Sequence, residues 1–296
     1  MTNVTLLAKS VLADFPSGSG INYHDEHLYL IGDDATGIII LDKTYTVKER
    51  INIFSHSEKR IPKSEKTDFE TSTIVTTDTG DYLCIIGSGS KKRRAVVLLM
   101  PLHPATKNAF EFTDYVEFRR RLESNGIQEL NIEGAAIVND VFLLANRSNH
   151  TNRENYFIAT SIDFWKNQAS VPFRIIEISI AEMPDPPLGI SELCYVKTHD
   201  LLLVTLSSEN TSSSYDDGTI GDSYIGWIGS ISSKINSDRM GLDGIINLSD
   251  VDTAFQQQKI EGICVENAVG NDFILHLVSD NDLGESVLFK IRMVIN

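Results

Sequence analysis

Four glutamates and a serine recur at the head of comparable segments along the 296-residue chain: Ser19, Glu70, Glu133, Glu192 and Glu261, spaced by 51, 63, 59 and 69 residues. A second polar set follows each of them: Asp33-Asp34, Ser88-Gly89-Ser90, Asn146-Arg147, Ser207-Ser208-Glu209 and Asp280-Asn281-Asp282. If folding gathers both sets at one place, the carboxylates must be protonated, paired with Arg or Lys, or shared around a cation. Oxygen donors without His or Cys suit calcium or magnesium rather than zinc or copper. The expected metal ligands are therefore Glu70, Glu133, Glu192, Glu261, Asp33, Asp280, Asn281 and Asp282. Arg93, Arg94, Arg147, Ser88, Ser90, Asn146 and Glu209 are the residues placed to hold a ligand beside them.

A structural alternative stands next to this reading. A carboxylate that opens an inner strand can cap backbone N–H groups and lock neighbouring segments, and Lys63, Lys66, Arg93, Arg94, Arg147 and Lys259 all flank the repeat as counter-charges. Asp280-Asn281-Asp282-Leu283-Gly284 reads as a polar turn, since its spacing departs from the helix-loop-helix calcium pattern. Gly87-Ser-Gly-Ser90 lacks the Gly-Lys-Ser/Thr tail of a phosphate loop and reads as a tight turn. There is no Gly-x-Ser-x-Gly elbow. His24, His27, His199 and His276 fall in strands or turns of the repeat and read as packed or exposed strand residues.

The elements that would position these residues are short strands. Each copy has an apolar strand, a turn, a second strand ending in the polar cluster, then two further strand-sized runs, as in His27-Leu-Tyr-Leu-Ile followed by Gly37-Ile-Ile-Ile-Leu. The period suits blades of four antiparallel strands, and a ring of them predicts an all-β, five-bladed β-propeller forming one domain over 1–296. The fifth copy lacks a fourth strand, and Asn3–Leu12 is the upstream segment that can supply it and close the ring. Six blades would require extra structure in the 110–130 insert or the 211–222 loop. Residues Arg119–Gly126 read as a short helical turn stopped by glycine.

With 41 acidic against 26 basic side chains, the formal net charge of −15 opposes nucleic acid and anionic membranes as partners. A cation and a small-molecule or peptide ligand fit better. No apolar run of membrane-spanning length occurs, and the N-terminal residues do not read as a signal peptide. Cys84, Cys194 and Cys264 are odd in number and lie in apolar strands, as expected of free thiols in a reducing compartment. The expected location is cytoplasmic, or periplasmic if a signal peptide has been trimmed.

The segment from Lys259-Ile-Glu-Gly-Ile-Cys-Val to Val278-Ser-Asp-Asn-Asp-Leu-Gly-Glu-Ser resembles the closing segment of the phytase-like esterase propellers. Asn131-Ile-Glu-Gly-Ala-Ala and Thr67-Asp-Phe-Glu-Thr are similar to the same pattern, in which Glu-Gly opens an inner strand and Ser-Asp-Asn ends the next, and with Asp81-Tyr-Leu-Cys-Ile-Ile-Gly-Ser-Gly-Ser-Lys-Lys-Arg-Arg they are similar to a group of uncharacterised bacterial propeller proteins of the same broad class. The resemblance implies a propeller with an acidic, cation-binding mouth, with Glu133, Glu261, Asp280 and Asn281 on the motif. Ser19-Gly20 and Glu192-Leu193 depart from it. The main expectation is a cation- and ligand-binding propeller. The alternatives are a metal-assisted phosphoesterase, with the ion activating water and the arginines holding phosphate, and a glycan-active propeller using paired carboxylates flanked by aromatic platforms.

Overall fold

The first strand, β1 (Asn3–Leu12), does not begin a sheet of its own. It runs antiparallel to the last strand of the chain, with Asn3 opposite Val294 and Leu12 opposite Ser286. In the computed structural model, residues 2–103, 109–149, 151–181, 186–210, 219–281 and 283–296 are described, save the side chains of 209, 210 and 219. Blade 1 holds β2 (Gly18–His24), β3 (His27–Gly32), β4 (Gly37–Asp42) and β5 (Val47–Asn52). Blade 2 holds β6 (Phe69–Thr77), β7 (Gly80–Gly87), β8 (Val96–Pro101) and β9 (Glu111–Asp114). Blade 3 holds β10 (Ile132–Val138), β11 (Val141–Asn146), β12 (Asn155–Ser161) and β13 (Phe173–Ser179).

Blade 4 is β14 (Leu188–Val196), β15 (Leu201–Asn210), β16 (Thr219–Gly229) and, after a detour, β18 (Gly244–Asn247). During that detour β17 (Arg239–Gly241) pairs parallel with β13 as a fifth strand of blade 3. Blade 5 is β19 (Lys259–Val269), β20 (Asp272–Asp280) and β21 (Ser286–Val294), completed by β1. The fold is thus the five-bladed propeller closed through the N-terminal strand. The 110–130 region yields no sixth blade: it holds β9 and the helix α1 (Val116–Ser124), whose Phe118 and Leu122, one turn apart, are both buried. Gly126, at φ +110°, follows the helix end. Residues 211–218 lie outside the described set.

The core is divided as the ring demands. One apolar cluster fills each seam between successive blades: Ile31, Ile40 and Leu83 join blades 1 and 2, and Ile86, Leu144 and Phe164 join blades 2 and 3. Ile176 with Val204 joins blades 3 and 4, Leu203 with Phe289 joins 4 and 5, and Leu30 with Val278 joins 5 and 1. Among the described residues no helix is long and apolar enough to cross a membrane.

Of His24, His27, His199 and His276, only the last, on β20, is wholly buried. Its Nδ1 meets Tyr45 Oη at 2.9 Å and its Nε2 meets Glu266 Oε2 at 2.8 Å, with Lys290 on the same carboxylate. Burial outweighs the attraction of Glu266 and depresses the imidazole pKa to about 4.

Deleting residues 1–13 leaves β21 as an open edge and should lower the thermal midpoint by on the order of 10 °C, or cause aggregation, with the Asn3–Leu12 peptide added in trans restoring it. A thermal midpoint unchanged by the deletion would contradict the closure. His276 is neutral in the folded chain but protonates below about 6.5 when unfolded, so its contribution is complete above that pH and is lost as pH falls toward 4. Thermal midpoints between pH 7 and 4.5 should fall, and fall less in His276→Gln; parallel curves would count against this assignment.

Candidate functional site

Each inner strand carries a β-bulge near its start. The register breaks at Ser19 in β2, Glu70 in β6, Glu133 in β10, Ser191 in β14 and Glu261 in β19. A bulge sets two residues against one and re-aims side chains. The true repeat is therefore Ser19, Glu70, Glu133, Ser191 and Glu261, and the expected alignment of the fourth copy on Glu192 is off by one residue. The two serines confirm the equivalence by doing the same thing: Ser19 Oγ donates to Phe69 O at 2.5 Å, and Ser191 Oγ donates to Ile260 O at 2.6 Å. Each thereby ties its blade to the residue before the bulge glutamate of the next.

The residues just after the bulges are Gly20, Thr71, Gly134, Glu192 and Gly262. Three glycines here allow close approach: a Cβ on Gly262 would sit 3.0 Å from Gly20 Cα, and one on Gly134 would sit 3.2 Å from the Glu192 carbonyl carbon. The space they leave is used by Glu192, whose Oε1 accepts from Thr71 Oγ1 at 2.7 Å, Leu193 N at 2.9 Å and Ala135 N at 3.0 Å. Glu192 is 1% exposed and reaches blades 2 and 3 from blade 4. Burial holds its carboxyl well above the usual range, against those donors. It is an inter-blade lock and is not brought into the carboxylate cluster at the mouth.

That cluster forms from two overlapping triads, Asp33-Asp68-Glu70 and Glu70-Glu133-Glu261, each offering carboxylate oxygens within 4.8 Å of one another. The repeat does not single out Asp68, although Asp68, Asn131 and Lys259 each stand two residues before a bulge glutamate. All three serve the site. Asn131 Nδ2 donates to Glu133 Oε1 at 2.6 Å, and Lys259 Nζ pairs with Glu261 Oε1 at 2.8 Å. Asp68 accepts from Ser88 Oγ at 2.5 Å and pairs with Arg94 Nη1 at 2.7 Å and Lys66 Nζ at 2.9 Å.

Lys66 also contacts Asp33 and so occupies the first triad as a built-in cation. Burial works against its charge, but Asp33, Asp68 and Glu70 more than offset this and raise its pKa. Burial, with Asp34 and Asp68 nearby, lifts Asp33 to about 7 despite Lys66. Lys66 and Arg94 hold Asp68 below its ordinary value although it is buried. Glu70 is different. Burial, then Asp68, Glu133 and Asp33, push its carboxyl well above the usual range, and no hydrogen bond or ion pair from the described residues reaches it.

The remaining expected ligand residues disperse. Arg94 is 1% exposed and turned to Asp68 and to Ser90 Oγ at 3.0 Å, so it does not face an incoming anion. Arg93 is on the surface, with Nη2 donating to Lys63 O at 3.0 Å. Arg147 lies 3.6 Å from Glu133 Oε2 and donates to Ser207 Oγ at 2.9 Å. Asn146 Oδ1 accepts from Asn131 N at 2.7 Å, and Asn281 Oδ1 accepts from Leu283 N at 3.0 Å in a turn. Asp280 pairs in register with Lys259 at the end of blade 5 and is not part of either triad. Asp282 and the Glu209 side chain lie outside the described residues.

Fold and site together define a five-bladed propeller whose acidic mouth is largely neutralised by its own cations. Residues 14–293 match the family of unknown function DUF6929, and the chain belongs to that family. No curated protein matches the chain. Among solved structures, the glutaminyl cyclase of Myxococcus xanthus is similar at 11% identity with a TM-score of 0.53, covering 99% of this chain and 97% of that one. The tail fiber of Staphylococcus aureus phage P68 is similar at 11% identity and a TM-score of 0.46, covering 99% of this chain and 53% of the other. At such identities the likeness is one of fold.

Replacing Glu192 by alanine strands the N–H groups of Ala135 and Leu193 and the Thr71 hydroxyl, each costing about 1–3 kcal/mol. Glu192→Gln keeps the accepting oxygen and should stay close to the parent. Denaturant unfolding checks both, and an alanine variant as stable as the parent would remove the lock.

Proposed function

We propose that this propeller binds a hard cation, calcium or magnesium, at the Glu70-Glu133-Glu261 corner of its mouth. One observation carries the reading: Glu70 belongs to both triads and, among the described residues, no hydrogen bond or ion pair reaches it, Lys66 acting on it only at longer range. Five carboxylates (Asp33, Asp68, Glu70, Glu133, Glu261) stand against four cations (Lys66, Arg94, Arg147, Lys259), so that an ionised Glu70 carries a charge met by no ion pair. Burial makes that charge costly, so a proton or a metal ion relieves it. The all-oxygen donor set supports a hard ion, with water completing its shell.

The phosphate-holding role expected of Arg94 and Arg147 finds no support, since they are turned to Asp68 and to Glu133 with Ser207.

Calorimetric titration with calcium chloride and with magnesium chloride should give one site per chain, weakened about tenfold or more in Glu70→Gln. Without metal, Glu70→Gln should raise the thermal midpoint progressively as pH rises, because it removes a partly buried carboxyl whose ionisation the fold opposes. Absence of heat with both ions, or equal binding by Glu70→Gln, would refute the site.

A further inference from the structure

The opposite end of the axis holds a second feature, independent of the acidic mouth. A half-enclosed cavity of about 470 Å³ opens where the inner strands end, and every blade contributes to it. Its size lies within the roughly 300–1,000 Å³ of small-molecule sites. It is separated from the mouth by the Glu192 lock: Ala135 lines the cavity while its N–H donates to Glu192 Oε1 from the other side.

The cavity wall is mixed: Ile263, Leu193 and the thiols of Cys194 and Cys264 stand beside the polar side chains of Asn22 and Asn139. Burial lifts the Cys194 pKa to about 12 and that of Cys264 well above its ordinary value, so these thiols stay neutral and add soft, uncharged surface. Thr73 presents a hydroxyl with no hydrogen-bond partner among the described residues. Tyr23 and Tyr195 line the wall while their hydroxyls are held by Glu26 at 2.8 Å and Asp200 at 3.1 Å.

The rim carries two opposite charges from adjacent blades. Lys197 follows β14, and Asp140 stands in the β10–β11 turn; both are exposed, and neither forms an ion pair among the described residues. Two opposite charges without an ion pair, over a cavity whose lining includes Leu193, Ile263 and Cys264, are complementary to a molecule with the same layout. We infer that this cavity binds a small zwitterion with an apolar side chain, of the amino-acid or short-peptide class. Its carboxylate meets Lys197, its ammonium meets Asp140, and its side chain enters the cavity.

The test uses the full chain with leucyl-leucine as probe, and with hexanoate and hexylamine as single-charge controls, read by calorimetry and thermal shift. The dipeptide should bind and raise the thermal midpoint, with both controls weaker by about tenfold or more. Lys197→Met and Asp140→Asn alter exposed side chains and should keep the parent thermal midpoint, yet each should weaken the dipeptide about tenfold. No dipeptide binding, equal binding of either control, or parent-like affinity in both rim variants would overturn the inference.

Discussion

The bulge at the head of each inner strand is the constraint from which the rest follows. By inserting one residue against its partner strand, it turns the position occupied by Ser19, Glu70, Glu133, Ser191 and Glu261 toward the mouth, and it sets the next residue against the axis. Small residues are then required at most of those axial positions, and three are glycine. Where the pattern changes, at Ser191-Glu192, the serine takes over the inter-blade bond and the glutamate takes over the axis. One local irregularity, repeated around a closed ring, thus decides both what the mouth displays and what fills the middle.

Electrostatics at the mouth follow from that placement. The bulge glutamates lie close enough to repel, and the chain answers mostly with cations supplied from two residues before a bulge or from the connecting segments. Lys259 serves Glu261 and Lys66 serves Asp33 and Asp68, while Arg94 lies under Asp68. Paired in this way, buried charges need not be released on folding, though their desolvation means that they specify geometry more than they add stability. Glu70 breaks the scheme, and the chemical character of the mouth is concentrated there.

Much of this was legible in the residues. Strand-sized apolar runs at a near-constant period, closed by Asn3–Leu12, are enough to imply a five-bladed ring, because no other placement of that leading segment pairs the last blade. Glu70, Glu133 and Glu261 could be read as convergent for the same reason. The fourth copy could not be aligned correctly: Ser191 and Glu192 are adjacent, and a rule favouring glutamate picks the wrong one unless the bulge is seen. Asp68 escaped because it stands just before β6 with its backbone at φ +61°, and because its role depends on Lys66 and Arg94 folding back over it. The ion pairs that turn Arg94 and Arg147 inward are made from the turns after β7 and β11, whose side-chain directions linear spacing does not encode.

The short β17 strand has a wider implication. Between its third and fourth strands, blade 4 lends a segment to blade 3, where Glu177, Ile178 and Ser179 pair with Arg239, Met240 and Gly241. Neither outer edge can peel away without breaking those pairs, so blades 3 and 4 are joined by backbone pairing as well as by the side-chain packing found at every seam.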